Sequence, residues 1–503
     1  MSRAVTKRLV IDAGTYYLQL LTTLAVLAVL TPIIISHYGE DGYGTWALLL
    51  SFVPFLLLFD MGLNTAVTQF TASKLGDLSK NDIDRMFGAM STVIICGALI
   101  IGLLGVVLGP VVVRVLDIGE GMQTAIAVLC LAVAIQLVSA FLSGIVYGYQ
   151  KIVLVSLAQI IQQCAFLGSS LLYMRTFPEA GIEMLAFGHL TGVSCALLFS
   201  LAVIVVRNYV GFSTTLRSIG RISALRPVLP YSLRVVVNGL TSRILYNTDH
   251  IVIALFVGLS DLGKYDVAWK LCFYSTYLAS AISFATFPKF SELYDEAGDN
   301  GEFFDKFIGV QRLSFAVGGS ICIWLFFWWE TIIALWIGDF FLLPFNVFIC
   351  LLLMNLVHIS SGPAGNVLTA IGKNKQMTYS EICNATLNLG LSLFLAQYLG
   401  IMGVAMGTLL AATLTSFWYL PFILCRLLNQ SLLSLLTRSL VHPIMFCVIM
   451  WVLSGWLVGD NAVEADFWTF AVKTGIHGAA SVLLWLGFEV FASRQSSGKR
   501  QVI

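Results

Sequence analysis

Runs of apolar residues, each of about twenty or more and rarely interrupted by charge, recur along the whole chain. At about 1.5 Å of rise per residue, each is long enough to cross the hydrocarbon core of a bilayer. No water reaches the backbone there, so such runs must be helices that satisfy their own hydrogen bonds and pack as a bundle. Fourteen are predicted, near residues 10–36, 44–70, 87–113, 122–146, 152–174, 183–206, 230–257, 264–287, 309–335, 344–370, 377–398, 401–425, 437–458 and 467–491. Composition agrees: 58% of the 503 residues are hydrophobic and 11% charged, with a mean hydropathy of +0.89. The expected fold class is an all-α integral membrane protein with 14 transmembrane helices. A net charge of +1 offers no basic surface for nucleic acid. The first run is too long for a signal segment and lacks a cleavage site, so it is expected to stay as a span.

Lysine and arginine near the span ends set the orientation. Twenty-one of the 28 fall on the side holding both termini, including Arg207, Arg217, Arg221 and Arg226. Three fall on the other side: Arg114, Arg175 and Lys264. The remaining four, Arg234, Arg243, Lys270 and Lys473, lie within spans or at their start. Both termini are therefore expected in the cytoplasm. One missed span would invert every sign after it, so the consistent alternation also supports the count.

Three short patterns recur in the same order. Gly44-Thr45-Trp46 opens the second span and Gly263-Lys264-Tyr265 the eighth, 219 residues later. Gly148-Tyr149-Gln150-Lys151 precedes the fifth and Gly372-Lys373-Asn374-Lys375 the eleventh, 224 residues later. The stretch from Gly181 to Gly188 opens the sixth and that from Gly400 to Gly407 the twelfth, again 219 residues later. Spans one to six and seven to twelve thus read as two copies of one unit. Six is even, so both copies enter from the same side as parallel repeats. The expected organisation is an N-terminal six-helix lobe (1–206), a basic cytoplasmic connector (207–227), a second six-helix lobe (228–427), and two extra C-terminal helices with a short tail (428–503). The connector has four arginines and no acid. Its helical spacing from Leu216 to Leu225 fits either a helix lying on an anionic leaflet or a solvated loop.

Polar residues inside spans carry the functional information. The seventh span holds Arg234, Arg243 and Asp249, and an ionised group at the bilayer centre costs roughly 2.5 kcal/mol or more. Arg234, Asn238, Thr241 and Thr248 share one helical face with Asp249 at its edge, whereas Arg243 and Asn247 point the other way. Either this span is kinked or Arg243 serves a second interface. Polar stripes also run along other spans: Asp12, Tyr16, Gln19 and Thr23; Ser156, Gln159 and Gln163; Asn355, His358 and Asn366; Glu381, Asn384 and Asn388. Any one stripe reads as helix–helix contact. Together, in both halves, they point to a shared wet cavity. Asp249 and Lys270 are expected at similar depth on neighbouring helices, as an ion pair or with separate roles. Asp60 with Asn64 would cap locally or take part in gating. A deep guanidinium such as Arg243 suits a phosphate or diphosphate, which it can hold by two parallel hydrogen bonds. The run from Trp324 to Trp329 reads as an interfacial aromatic belt.

Other chemistry is missing from the sequence. There is no P-loop, HExxH or GxSxG motif and no metal-spaced cysteine–histidine set, and the ten cysteines lie singly in apolar segments. No cofactor or metal site is expected. The outer loops are short, which disfavours a membrane-embedded polysaccharide polymerase or ligase.

Gly44 to Leu49 followed by Leu58-Phe59-Asp60-Met61-Gly62-Leu63, then Asp249 ahead of Gly258 and of Gly263 to Ala268, and finally Asn366 to Gly372, resemble the patterns of bacterial polysaccharide (O-antigen, Wzx-type) flippases. These belong to the multidrug/oligosaccharidyl-lipid/polysaccharide exporter superfamily. The resemblance covers spans one to twelve. It implies two six-helix lobes open alternately to each side of the bacterial inner membrane. It also implies export of a polyprenyl-diphosphate-linked oligosaccharide, driven by protons or sodium. The lipid II flippases of that superfamily have arginines in the first span; this chain has none there, which places the cationic role on the seventh. The expected diphosphate ligands are Arg243, Arg234 and Lys270. The expected cation-coupling or gating residues are Asp249, Asp60, Glu381 and Asp12. Asn238, Asn247, Gln159, Gln163, Asn355, His358, Asn366, Asn384 and Asn388 would line the cavity. Expected partners are the lipid-linked saccharide, membrane lipids, a polysaccharide polymerase and glycosyltransferases. The alternative is a multidrug or organic-cation antiporter of the same superfamily.

Overall fold

The computed structural model describes residues 3–74, 79–116, 122–296, 300–459 and 466–500. Among them there are helices and no strands. In order these are α1 (Arg3–Leu56), α2 (Leu63–Lys74), α3 (Lys80–Leu116), α4 (Met122–Gly148), α5 (Ile152–Thr176), α6 (Glu183–Arg207), α7 (Phe212–Arg217), α8 (Leu229–Phe256), α9 (Leu259–Glu296), α10 (Asn300–Trp336), α11 (Phe345–Ala370), α12 (Asn374–Leu399), α13 (Ile401–Leu414), α14 (Ser416–Leu427), α15 (Leu432–Val458) and α16 (Phe467–Arg500). Of the basic residues that set the orientation, Arg3, Lys7, Arg8, Lys74, Lys289, Arg494, Lys499 and Arg500 have side chains outside the described set.

Among the described residues, eleven helices are long and apolar enough to cross a membrane on those grounds alone. One of them, α1, is two spans in one: it bends at Gly39, whose φ of 75° is not helical. α8 and the described part of α9 fall outside the eleven because their charged and amide side chains lower the hydropathy. Counting these, the described residues make up the 14 expected transmembrane helices. Two predicted spans are discontinuous. The second stops at Leu56, turns, and restarts at Leu63. The twelfth breaks at Thr415, where φ and ψ are −112° and −82°, between α13 and α14. Irregular backbone at membrane depth survives only where protein or a wet cavity covers it.

Contacts divide the chain into two compact units, Met1–Arg243 and Ile244–Ile503. The division falls inside α8, so the connector and the first half of α8 pack with the first unit. There α4 and α5 both lie along α6, and α2 lies along α4. In the second unit α12 lies along α13, α9 along α11, and α10 along α15. Small residues make the closest pairings possible. Gly188 and Gly192 of α6 sit against Ser170 and the Gln162 carbonyl of α5, where a Cβ would clash. At the matching place in the second copy, Gly407 of α13 sits against Ser392 of α12.

The last helix, α16, is mostly exposed but pinned by one histidine. His477 is buried, with Nδ1 2.9 Å from the Ser454 hydroxyl of α15 and Nε2 3.0 Å from that of Ser320 of α10. The tryptophan-rich run of α10 does not form an interfacial belt: Trp328 and Trp329 are buried, and Trp329 stacks on Phe348 at 4.4 Å. The contacts of α10 with α11 and α15 outcompete the membrane interface for these rings. Exposed Leu99, Val106, Leu198 and Leu483 instead supply an apolar outer surface.

Candidate functional site

Two places on α8 hold charge at depth, one in each unit. In the first unit the site begins with the helix break. Pro54 lacks an N–H for the carbonyl one turn back. α1 then gives way to a 3-10 turn, Leu57–Asp60, and to left-handed residues Met61 and Gly62 with φ of 53° and 73°. Asp60 Oδ1 accepts the Gly62 N–H at 2.8 Å, which holds the turn closed. A Cβ on Gly62 would lie 2.6 Å from the Ser232 carbonyl of α8, and one on Gly97 of α3 would lie 2.6 Å from the Phe59 carbonyl. The break therefore needs glycine both in the turn and across from it.

A helix end leaves carbonyls without partners and carries a partial negative charge. Arg243 answers both. Its Nε donates to the Pro54 carbonyl at 2.8 Å, and its Nη1 donates to the Gly239 carbonyl at 3.0 Å. Asp60 lies within its field. α8 runs unbroken from Leu229 to Phe256, so of the two readings of Arg243 the structure supports the second interface rather than a kink. Arg234, nine residues earlier, is exposed, and no described group bonds its guanidinium.

In the second unit the centre is Asp249. It is 3% exposed. Its Oδ2 accepts the Thr408 hydroxyl of α13 at 2.7 Å and the Tyr265 hydroxyl of α9 at 3.0 Å. Its Oδ1 is buried and accepts nothing. Asn388 of α12 is fully buried; its Oδ1 accepts the Ser392 hydroxyl at 3.0 Å, and its Nδ2 faces the Asp249 carboxylate without reaching hydrogen-bond geometry. One turn earlier on the same face, Asn384 Oδ1 is also buried without a donor. The Val404 carbonyl lies 3.1 Å from the Thr408 hydroxyl and 3.4 Å from that of Ser392, whose single protons go to the shorter bonds with Asp249 and Asn388. α8 and three neighbouring helices, α9, α12 and α13, thus bring together a carboxylate, amide and hydroxyl oxygens and one backbone carbonyl. These are the hard oxygen donors that alkali and alkaline-earth cations take.

Lys270 does not pair with Asp249. It bonds Asp266 at 2.6 Å, one turn earlier on its own helix, and Asp266 also meets His250 Nε2 at 3.0 Å. The four-residue spacing on one helix wins over reaching across to a neighbour. Tyr265 and Asp266 stand out in the sequence only as part of the Gly263 to Ala268 pattern, and nothing there marks His250. The Asp266–Lys270 spacing was the signal for the pair; nothing in the sequence singled out Thr408.

The other expected residues are scattered. Asn355 is buried in helix contact, its Nδ2 donating to the Ser275 hydroxyl of α9 at 2.6 Å. His358 lies 6.4 Å from the Tyr246 ring. Asn238 is exposed; Asn247, Gln159, Gln163, Asn366, Glu381 and Asp12 are half-buried. The structure brings together Asp249, Asn388 and, one turn away, Asn384. Two apolar grooves of about 490 and 530 Å³ lie among α10, α11, α15 and α16 and hold none of these residues.

Residues 12–294 match the family described as polysaccharide biosynthesis protein. That is more than half of the chain and includes both the helix break and Asp249. The chain belongs to this family. No curated protein matches it. Among solved structures, the family member shares its fold with the lipid II flippase MurJ in an inward closed conformation (16% identity, 95% of this chain and 99% of the other, TM-score 0.68). It is similar also to an inward-facing multidrug resistance MATE family transporter of the MOP superfamily (17% identity, 84% and 99% covered, TM-score 0.64). A MOP superfamily transporter from Pyrococcus furiosus aligns at 13% identity over 84% and 96%, with a TM-score of 0.53.

Proposed function

We propose that this membrane protein is a flippase that carries polyprenyl-diphosphate-linked oligosaccharide across the bacterial inner membrane, with both termini cytoplasmic. An H+ or Na+ gradient would drive it. The observation that carries the reading is the Asp249 carboxylate, sealed among helices with one oxygen bonded twice and the other not at all. Burying an unpaired charge is costly, so such a site favours the state in which a cation or proton neutralises it. Loading would hold α8, α9, α12 and α13 together, and release would bias the protein toward a second conformation. Asp60, Glu381 and Asp12 are secondary candidates for coupling.

Arg234 is the cation readiest for a diphosphate, because nothing described holds it. Lys270 and Arg243 would first have to give up Asp266 and the Pro54 carbonyl. Asn238, Asn247, Gln159, Gln163, His358 and Asn366 are accessible enough to meet sugar hydroxyls, while Asn355, Asn384 and Asn388 are buried. The prenyl chain would stay in lipid. Family membership and the fold shared with a lipid II flippase support a lipid-linked saccharide, supplied by glycosyltransferases and consumed by a polymerase. The Asp249 site serves a multidrug antiporter equally well, so the substrate decides between the two.

The deciding experiment is transport in proteoliposomes. It would follow a short-chain fluorescent prenyl-diphosphate saccharide and a lipophilic cation, each under a Na+ or pH gradient. Gradient-driven movement of the saccharide lipid, lost in Asp249→Asn, upholds the proposal. Movement of the lipophilic cation alone overturns it in favour of the antiporter.

A further inference from the structure

The segment from Arg207 to Leu229, between α6 and α8, is held on one face and bare on the other. On the held face, Asp84 of α3 accepts the Gly211 N–H at 3.0 Å, and the Thr92 hydroxyl accepts the Gly220 N–H at 2.9 Å. The Tyr149 hydroxyl donates to the Tyr209 carbonyl at 3.0 Å while the two rings stack at 4.4 Å. Gly88 leaves room for Thr215 and Ser218 to lie directly on α3. The segment is not the single helix its spacing suggests: α7 ends at Arg217 and Gly220, with φ of 87°, breaks it before a 3-10 turn at Ile222–Leu225.

On the bare face, Leu216 is 62%, Ile219 40% and Ile222 59% exposed. Arg217, Arg221 and Arg226 are exposed beside them, and no described group bonds their guanidinium groups. No acid occurs from Arg207 to Arg226. Bare aliphatics are poorly suited to water, and free guanidinium groups are poorly suited to hydrocarbon. The boundary between the two suits both: aliphatics enter the acyl region and arginines meet phosphates. The segment starts at the last residue of α6 and ends at the first of α8, so its ends place it at the membrane face where those spans emerge.

We propose that this bare face docks onto anionic phospholipid of the cytoplasmic leaflet. Arg217, Arg221 and Arg226 take the headgroup phosphates, and Leu216, Ile219 and Ile222 enter the acyl boundary. A free phosphate would engage the arginines but give the three aliphatics nothing, so the lipid surface is the better fit. The inference rests on the orientation given under Proposed function and not on the transported substrate.

The test is hydrogen exchange of the full chain in nanodiscs of phosphatidylcholine alone or with phosphatidylglycerol. Amides of residues 214–226 are expected to exchange at least about tenfold more slowly with the anionic lipid. The protection should fall with added salt. It should also disappear in the triple variant Arg217→Gln, Arg221→Gln, Arg226→Gln, with α8 amides unchanged as the check on folding. The variant Leu216→Ser, Ile222→Ser should lose part of it. Equal exchange in both lipids overturns the proposal, as does equal protection by inorganic phosphate in phosphatidylcholine discs. Labelling of Ser223→Cys from each side of sealed vesicles, in a background with the ten native cysteines replaced by alanine, reports orientation separately. Labelling from the outside would sink the topology, whatever the exchange shows.

Discussion

Arg243 and Asp249 stand six residues apart on α8, about 9 Å along its axis, and meet the cost of buried charge in opposite ways. Arg243 gives its donors to backbone: the helix broken at Pro54 offers one carbonyl, Gly239 of α8 offers another one turn back, and the guanidinium closes on both. Asp249 has two hydroxyl donors on one oxygen and none on the other. The first site is complete with protein alone; the second is complete only with something added. A deep charge is thus not by itself a binding site, and the count of its unsatisfied atoms separates the two cases.

Four substitutions would break or sharpen that contrast. The largest effect is expected from Asp249→Asn, which keeps the shape and removes the charge. Gradient-driven transport should fall by about 100-fold or more, while thermal stability holds or rises, because neutralising a poorly paired buried charge is often neutral or stabilising. A large drop in melting temperature with transport intact would make Asp249 structural. Next is Gly62→Val, which forces a β-branched residue into φ of 73° and a Cβ to 2.6 Å from the Ser232 carbonyl. It should cost about 1–3 kcal/mol in backbone strain alone, read as a loss of folded protein in detergent melts. Arg243→Ala leaves the Pro54 and Gly239 carbonyls short of their charged donor and should cost about 1.5–3 kcal/mol of stability. If instead the melting temperature is unchanged and only saccharide transport is lost, Arg243 binds substrate and the contrast fails. The smallest effect on stability belongs to Arg234→Gln, within about 0.5 kcal/mol as for a surface change. Its signature should be a raised KM for the diphosphate lipid with kcat preserved.

Much of the fold was legible in the sequence because bilayer length, basic-residue asymmetry and repeat spacing act over many residues and tolerate local error. The charges that matter were legible too: Arg243, Asp249 and Lys270 stand out in any apolar run. The partners of Arg243 and Asp249 were not. The Pro54 carbonyl carries no side-chain signal and lies 189 residues from Arg243, while Thr408 is 159 residues from Asp249 and one of many threonines. The helix breaks were half legible. Pro54 lies inside the second apolar run and cannot complete a helix's hydrogen bonds, yet the hydropathy of 44–70 runs through the break, because apolar character does not depend on whether the backbone stays helical. The tryptophans of α10 misled for a related reason: the same rings serve an interface or a core, and composition does not choose.

The broken second span also bears on how the chain is made. Beyond the break, α2 reads Leu63 to Lys74 with Asn64, Thr65, Thr68, Gln69 and Thr71, too polar and too short to rest in lipid by itself. Its cover is α4: the Thr68 hydroxyl donates to the Gly144 carbonyl, and a Cβ on Gly144 or Gly148 would clash with Val67 or Thr71. Those partners lie 76 residues apart in the chain. Because α4 follows α2 in the chain, α2 gains this cover only after α4 has been synthesised. The break thus ties the second span to the fourth, and its polar stretch is sheltered by a later segment rather than by lipid.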